Sequence, residues 1–166
     1  DFTEAMYYRL AQAVSFSNSF IKNASELSGD EVSVFVAEAR FLRAYAYYNL
    51  LDLYGNVPLT TEISTELPTQ SNRTELFNFI ESELMEIESI LLASNEYGRV
   101  DNIAAHALLS RLYLNAEAWT GQDRYADCIT YSQNVINSGY SLNMNDANGN
   151  GTAYDELFMA DNDVNG

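Results

Sequence analysis

The stretch AEARFLRAYAYYNLLDLYGNVPL, residues 37–59, decides the fold, because it predicts a long helix that ends abruptly. From Val34 to Tyr54, apolar side chains occur on nearly every face of a helix, which is typical of a helix surrounded by other helices. Gly55 suits the left-handed backbone position that follows many helix C-termini, and Pro58 cannot continue a helix. We therefore predict a buried helix that ends in a glycine C-cap.

Two arginines, Arg40 and Arg43, lie inside this apolar helix. A guanidinium that is buried between helices needs an acidic partner, which we expect to be Glu38 or a carboxylate on a neighbouring helix. The tyrosines of the same stretch are expected to fill space and to hydrogen-bond through their hydroxyls. The stretch is thus interpreted as scaffold, with a ligand site as the alternative.

Further helices are predicted on both sides of this stretch. Apolar residues recur every three to four positions over residues 3–23, which indicates a first amphipathic helix. Asn72 and Glu75 match a capping box, which predicts the start of a third helix after a loop rich in Thr, Ser and Pro. The face of that helix that carries Glu83 and Glu86 is expected to be solvated rather than to hold an acid–base pair.

A fourth and a fifth helix are predicted over residues 100–118 and 123–138. The segment VDNIAAHALLSRLYLNAEAWTG, residues 100–121, parallels VFVAEARFLRAYAYYNLLDLYG, residues 34–55, in small residues and a tyrosine. One helix-pair unit that occurs twice favours a tetratricopeptide-like array. The predicted fold class is therefore all-α, with helix pairs that form a superhelical scaffold.

The charge balance excludes several kinds of partner. Lys and Arg total 8 against 24 Asp and Glu, which gives a formal net charge of −16. A nucleic-acid backbone would be repelled by this charge, and so would an anionic lipid surface. The single cysteine, Cys128, lies on a mostly apolar helix face, where a thiol usually packs.

Three aromatic candidates and one histidine stand out. Trp119, the only tryptophan, lies in the AEAWTG turn; a wedge between helices is the favoured interpretation, and Trp119 is also our one candidate ligand-binding residue. Tyr97 and Tyr140, which lie next to glycine-containing turns, are weaker candidates of the same kind. His106 is the only histidine, and its apolar neighbours favour a structural role over a catalytic one.

Two Asp/Asn/Gly-rich segments match the start of a calcium-binding loop. The first has Asp146, Asn148, Asn150 and Gly151, but Leu157 takes the place of the bidentate glutamate. The second has Asp161, Asp163, Asn165 and Gly166, and it runs to the end of the sequence. Loops of this composition produce the pattern by chance, so we predict no metal site and no cofactor.

The stretch at residues 37–59 resembles the most characteristic segment of the SusD/RagB family, whose members are nutrient-binding lipoproteins of the outer membrane. Four other segments are similar to the family's successive helices and fall in the same order. They are MYYRLAQAVSFSNSFI (6–21), TELFNFIESELMEIESIL (74–91), GRVDNIAAHALLSRLYLNAEAWTGQDRYADCITYSQNVINSGYSL (98–142) and YDELFMADN (154–162). Glu83-Leu84 stands where Asp-Leu is more usual.

The resemblance implies a helical scaffold without catalysis that captures a glycan, or sometimes a peptide or glycopeptide. It implies a SusC-type TonB-dependent transporter as partner and a surface-exposed outer-membrane location through a lipid anchor outside this chain. Residues 1–166 are then expected to be the N-terminal helical part of the domain, without signal peptide, lipidated N-terminus or C-terminal half. No binding residue is carried over by motif. A general tetratricopeptide-type adaptor and a glycan-active enzyme with two carboxylates remain as alternatives.

Overall fold

The computed structural model of the chain describes residues 1–162. Within these residues the secondary structure consists of six α-helices and one 3₁₀ turn. The helices are α1 (Phe2–Ala24), α2 (Asp30–Tyr54), α3 (Arg73–Ile87), α4 (Asn102–Leu114), α5 (Ala116–Thr120) and α6 (Tyr125–Ile136), and the 3₁₀ turn is Asp155–Phe158. The predicted all-α fold class is confirmed.

The chain divides into two compact units, residues 1–135 and residues 136–166. In the first unit, α2 packs against α1 and α3, and α3 packs against α4 and α5. The core is made by side chains of α2, α3 and α4, and its largest fully buried members include Tyr47, Leu51, Ile80 and Tyr113. Burial on several faces of α2 agrees with the all-round apolar pattern that predicted it.

The fourth predicted helix is two helices in the structure, because α4 ends at Leu114 and α5 begins at Ala116. Asn115 lies between them with φ −101° and ψ 4°. Its side-chain amide donates a hydrogen bond to the Arg111 carbonyl oxygen over 3.0 Å. Asparagine side chains compete in this way with helix continuation, which explains the break that the apolar pattern did not predict.

The abrupt end of α2 is a glycine-specific backbone position. Gly55 has φ 76° and ψ −92°, and its amide donates to the Leu51 carbonyl oxygen over 3.0 Å. The positive φ is confirmed, although ψ lies outside the left-handed helical region that was expected. A Cβ atom at Gly55 would lie 2.6 Å from the Arg73 guanidinium at the start of α3. A side chain at residue 55 would therefore have to displace the flexible end of the Arg73 side chain.

A second element fixes the start of α3. The Asn72 side chain accepts from the Glu75 amide over 3.0 Å, and the Glu75 carboxylate accepts from the Asn72 amide over 2.9 Å. This is the predicted capping box. The loop before it folds back on itself, since the Ser71 amide donates to the Val57 carbonyl oxygen over 3.0 Å. None of the helices within residues 1–162 has the length and apolarity that crossing a membrane requires.

The described part of the second unit is a polar loop followed by the 3₁₀ turn. The Asp146 carboxylate, a candidate calcium ligand, accepts from the backbone amides of Asn150 and Gly151 over 3.1 and 2.8 Å. Hydrogen bonds from Asn150 and Asn148 hold the pKa of Asp155 below its usual value. Residues 1–162 contain no cluster of three or more His, Cys, Asp or Glu suited to a metal ion. Three members of the second calcium-like pattern, Asp163, Asn165 and Gly166, lie outside the described residues.

Candidate functional site

A partly buried cluster of charged and polar side chains joins α1, α2 and α3. We call it the arginine cluster, and its members are Asn18, Arg40, Arg43, Glu83 and Glu86. Glu83 binds both arginines, with Nη2–Oε distances of 2.7 Å to Arg40 and 2.6 Å to Arg43. Arg40 also binds Glu86 over 2.5 Å, and Arg43 donates to the Asn18 carboxamide over 2.7 Å. The expectation of a neighbour-helix carboxylate is confirmed.

The structure corrects two details of the sequence interpretation. Glu83 is not on a solvated face, because it is only 7% exposed and accepts from two guanidinium groups. Glu83 lies at the edge of the apolar face of α3, where Arg40 and Arg43 of α2 contact it. The residue pattern of α3 alone could not predict this contact, because the arginines belong to another helix. Glu38 does not pair with Arg40 or Arg43; it binds Arg99 over 2.7 Å instead.

The arginine cluster also holds the loop that follows α2. The Asn18 amide donates to the Thr60 carbonyl oxygen over 3.0 Å, and Arg43 donates to the Thr61 carbonyl oxygen over 3.4 Å. The Tyr47 hydroxyl donates to the Thr60 carbonyl oxygen and accepts from the Thr60 amide, over 3.0 and 2.7 Å. Apart from Arg43 Nε, which is buried without a hydrogen-bond partner among residues 1–162, these polar groups bond within the scaffold, which supports the scaffold interpretation of residues 37–59.

Trp119 lies in the short helix α5 and is partly buried against the core. Its indole meets the Tyr48 ring of α2 edge to face, with 5.8 Å between the ring centroids and 84° between the planes. This contact is the one expected of a wedge between helices, since edge-to-face aromatic pairs stabilise packing. Tyr97 and Tyr140 are much more open, with 76% and 63% of their surface exposed. All three remain candidates for stacking on a ligand.

His106 takes part in contacts between helices. Its Nε2 atom lies 3.5 Å from a Glu88 carboxylate oxygen, and its ring meets the Tyr131 ring with centroids 5.3 Å apart. The Tyr131 hydroxyl donates to the same carboxylate over 3.2 Å. Burial, and then the nearby Glu88 charge, raise the pKa of Tyr131 to about 12. Cys128 packs against the core beside Ser110, as the sequence predicted.

Sequence reasoning missed a pocket that we call the polar pocket, which lies between α3 and the turn that joins α5 to α6. It has a volume of about 260 Å³. Its lining residues are Thr74, Phe77, Asn78, Thr120, Gln122 and Arg124. The one signal in the sequence is the spacing of Thr74 and Asn78 on one face of α3. The turn comes more than forty residues later, so only the fold brings the two sides together.

A second concavity is an apolar groove between α1 and α2, with a volume of about 600 Å³. Its lining residues are Phe16, Ser17, Phe20, Phe35, Glu38, Ala39 and Leu42. Phe16 and Leu42 are 66% and 52% exposed. At the Glu38 end, the Arg99 guanidinium lies 4.9 Å from the centroid of the Phe35 ring. Exposed apolar surface of this kind marks interaction sites in many proteins.

The packed helix pairs and the tyrosine-rich core define a tetratricopeptide-like all-α scaffold. The chain belongs to the SusD-like family described as "Starch-binding associating with outer membrane", whose sequence profile matches residues 3–114. The resemblance noted in the sequence is thereby confirmed.

Individual relatives agree with this assignment. The starch-binding protein SusD of Bacteroides thetaiotaomicron is 40% identical over 165 residues, which cover 98% of this chain and 28% of SusD. A crystal structure of a SusD-like protein from Bacteroides fragilis matches with a TM-score of 0.79 and 26% identity, covering 98% of this chain and 32% of that one. A laminarin-binding SusD-like protein matches with a TM-score of 0.80 and 25% identity, covering 97% and 35%. The chain therefore spans about a third or less of each relative.

Proposed function

We propose that this chain is part of a cell-surface glycan-binding protein of the outer membrane. The observation that carries the proposal is its identity of 40% with a starch-binding protein over 98% of the chain. The structural match to a laminarin-binding protein supports a glucan as the class of ligand. The surface charge also fits, because a neutral glycan is not repelled by a net charge of −16.

The proposal extends to how the protein works. The protein binds and does not catalyse, and it needs no cofactor. It delivers its glycan to a SusC-type TonB-dependent transporter and is held at the cell surface by a lipid anchor outside this chain. The chain covers only 28% and 32% of two matched relatives, so the whole domain is longer than this chain. Because residues 6–21 resemble the first helix of the family, we assign residues 1–166 to the N-terminal helical part of that domain. In this arrangement the buried arginine cluster is scaffold, and the ligand contacts come from surface pockets and loops.

A second candidate is a peptide or glycopeptide as cargo, which the apolar groove between α1 and α2 favours. The groove exposes Phe16, Phe20 and Leu42, and apolar peptide side chains bury well against such residues. A tetratricopeptide-type adaptor would use the same groove for a partner helix. Both alternatives predict binding that depends on apolar side chains rather than on hydroxyl groups.

Affinity electrophoresis tests the glycan proposal. Native gels are cast with starch or laminarin, and the 166-residue chain is run beside a family-length protein that contains it. Retardation of the longer protein supports glycan binding, and retardation of the short chain as well locates a site within these helices. If neither protein is retarded in any gel while a peptide library yields a binder, the glycan proposal is wrong and the peptide candidate replaces it.

A further inference from the structure

The two walls of the polar pocket are held by contacts that do not involve a ligand. The capping box of Asn72 and Glu75 fixes the start of α3, which carries Thr74 and Asn78. On the other side Gly121 takes the left-handed conformation, with φ 75° and ψ 7°. The Thr120 hydroxyl donates to the Ala116 carbonyl oxygen over 2.8 Å and accepts from the Gln122 amide over 3.1 Å. The pocket is therefore formed before anything binds, which lowers the entropy that binding must overcome.

The rim of the pocket presents unused hydrogen-bonding groups. Within residues 1–162, the side chains of Thr74, Asn78 and Gln122 make no hydrogen bond to another part of the protein. Each carboxamide offers two N–H donors and one carbonyl acceptor, and a hydroxyl offers both functions. The Phe77 side chain behind them is only 2% exposed, so the surface that a ligand can reach is mostly these polar groups. Two amides and a hydroxyl around a small cavity suit a ligand that carries several hydroxyl groups.

The charge of the pocket selects for a neutral ligand. Arg124, the only charged lining residue, binds Glu81 over 2.8 Å and Asp127 over 2.5 Å, so two carboxylates compensate its guanidinium. The guanidinium also lies 4.6 Å from the centroid of the Tyr113 ring, which limits its movement. An anionic ligand would meet no free cation here and would be repelled by the net charge of −16. A charged sugar or a phosphate is thus disfavoured.

We infer that the polar pocket is a binding subsite for one neutral sugar unit of a glycan, held by the carboxamides of Asn78 and Gln122. This inference rests on the proposed glycan function and adds a specific location to it. A volume of about 260 Å³ lies just below the usual range of small-molecule sites, which suits a single ring at the end of a chain better than a long segment.

The test is a titration of the ¹⁵N-labelled 166-residue chain with maltooligosaccharides and laminarin oligosaccharides, followed by ¹H–¹⁵N correlation spectra. The side-chain amide signals of Asn78 and Gln122, assigned through N78A and Q122A, are expected to shift in a saturable way with at least one glycan. In N78A the affinity is expected to fall by about threefold to tenfold, the loss of roughly one hydrogen bond. The exposed Asn23 of α1 supplies the matched control N23A, which should leave the affinity unchanged.

Two outcomes overturn the inference in different ways. If other signals shift while those of Asn78 and Gln122 stay fixed, a glycan binds elsewhere, so the subsite is wrong and the glycan function stands. If no signal moves with any glycan, this chain holds no subsite, and retardation of the family-length protein in the gels then decides the glycan function separately. The spectra also show whether each variant is folded, so a lost shift is not confused with unfolding.

Discussion

At the scale of single residues, Gly55 and Trp119 help to determine how neighbouring helices end and pack. Gly55 ends α2 with φ 76°, and the flexible end of the Arg73 side chain occupies the space in which a Cβ atom at residue 55 would lie. Trp119 of the short helix α5 packs against Tyr48 of α2. Gly55 is constrained by its backbone conformation, and Trp119 is constrained by packing against Tyr48. We therefore expect substitutions at the two positions to lower the free energy of unfolding for different reasons.

Gly55→Val should lower the free energy of unfolding by more than about 1 kcal/mol, because a β-branched residue resists positive φ and its Cβ would meet Arg73. Urea unfolding of the variant and the parent chain measures the difference. Gly98→Val is the matched control, since Gly98 has φ 81° but a Cβ atom there would meet no neighbouring group within 4 Å. If the two variants lost the same free energy of unfolding, the contact with Arg73 would contribute nothing to the destabilisation.

Trp119→Ala should destabilise the chain by about 2 kcal/mol or more, because it leaves a partly filled space against Tyr48. Glycan affinity of the family-length protein should stay within about twofold, which is less than the loss of one good hydrogen bond. Thermal unfolding and affinity electrophoresis measure the two effects side by side. A tenfold or greater loss of affinity at unchanged stability, about 1.4 kcal/mol of binding energy, would instead identify Trp119 as a stacking platform.

At the scale of elements, the arginine cluster ties α2 to α1 and α3 and fastens the loop after α2. Glu83 is the shared acceptor, with its side chain only 10% exposed, whereas the Glu86 side chain is 64% exposed. Burial lowers the pKa of Arg40, but the hydrogen bonds to Glu83 and Glu86 outweigh that effect and raise it. Because arginine side chains stay protonated in proteins, removing the common partner of Arg40 and Arg43 leaves uncompensated positive charge in a partly buried place.

Glu83→Gln should therefore lower the free energy of unfolding by about 3 kcal/mol, the range found when one partner of a buried ion pair is removed. Glu86→Gln removes an exposed carboxylate from the same helix and should cost less than about 1 kcal/mol. Denaturant unfolding of the two variants makes the comparison. If both variants lost the same small amount of unfolding free energy, water would screen the whole arginine cluster. Glu83 would then not compensate a buried charge.

Some features of the structure could be predicted from the sequence and others could not, because some depend on neighbours in the chain and others on distant residues. Caps and the all-round apolar helix were predictable, because Gly55, Asn72 and Glu75 act through neighbours in the chain. The partner of Arg43 was predictable only as a class, since Glu83 lies forty residues away. The polar pocket was not predictable at all, because its walls meet only after α3 and α5 have packed together.

Alkaline pH offers a test of how α3, α4 and α6 are joined. The folded pKa of Tyr131 is raised to about 12, so this group's contribution to stability is complete below its unfolded pKa of about 10 and is lost as pH rises through about 12. Unfolding free energies measured from about pH 9 to about pH 12 should fall along this window, and less steeply in Tyr131→Phe. The exposed Tyr97 supplies the control Tyr97→Phe, and equal slopes in all three proteins would contradict the assignment.

At the scale of the whole molecule, the dominant feature is a net charge of −16 on 166 residues. Self-repulsion of this charge destabilises the compact state, while the best-formed ion pairs are partly buried and shielded from salt. Added salt should therefore weaken the repulsion between acidic side chains more than it weakens the attraction within the ion pairs. A chain with this charge is expected to repel nucleic acids and anionic surfaces, whereas a neutral glycan meets no such repulsion.

Raising NaCl from about 10 mM to about 300 mM should accordingly stabilise the chain by about 1 kcal/mol, or roughly 2–4 °C in melting temperature, as the screening length shortens. Thermal unfolding followed by circular dichroism measures the shift. A variant with the exposed acids Glu26, Glu31, Glu62 and Glu66 changed to Gln should start from a higher melting temperature at low salt and gain less from added salt. A melting temperature that falls with salt would show that surface ion pairs outweigh repulsion. Because a neutral sugar carries no charge, its affinity for the polar pocket should stay constant over the same range, which separates the effect of charge on folding from the recognition of ligand.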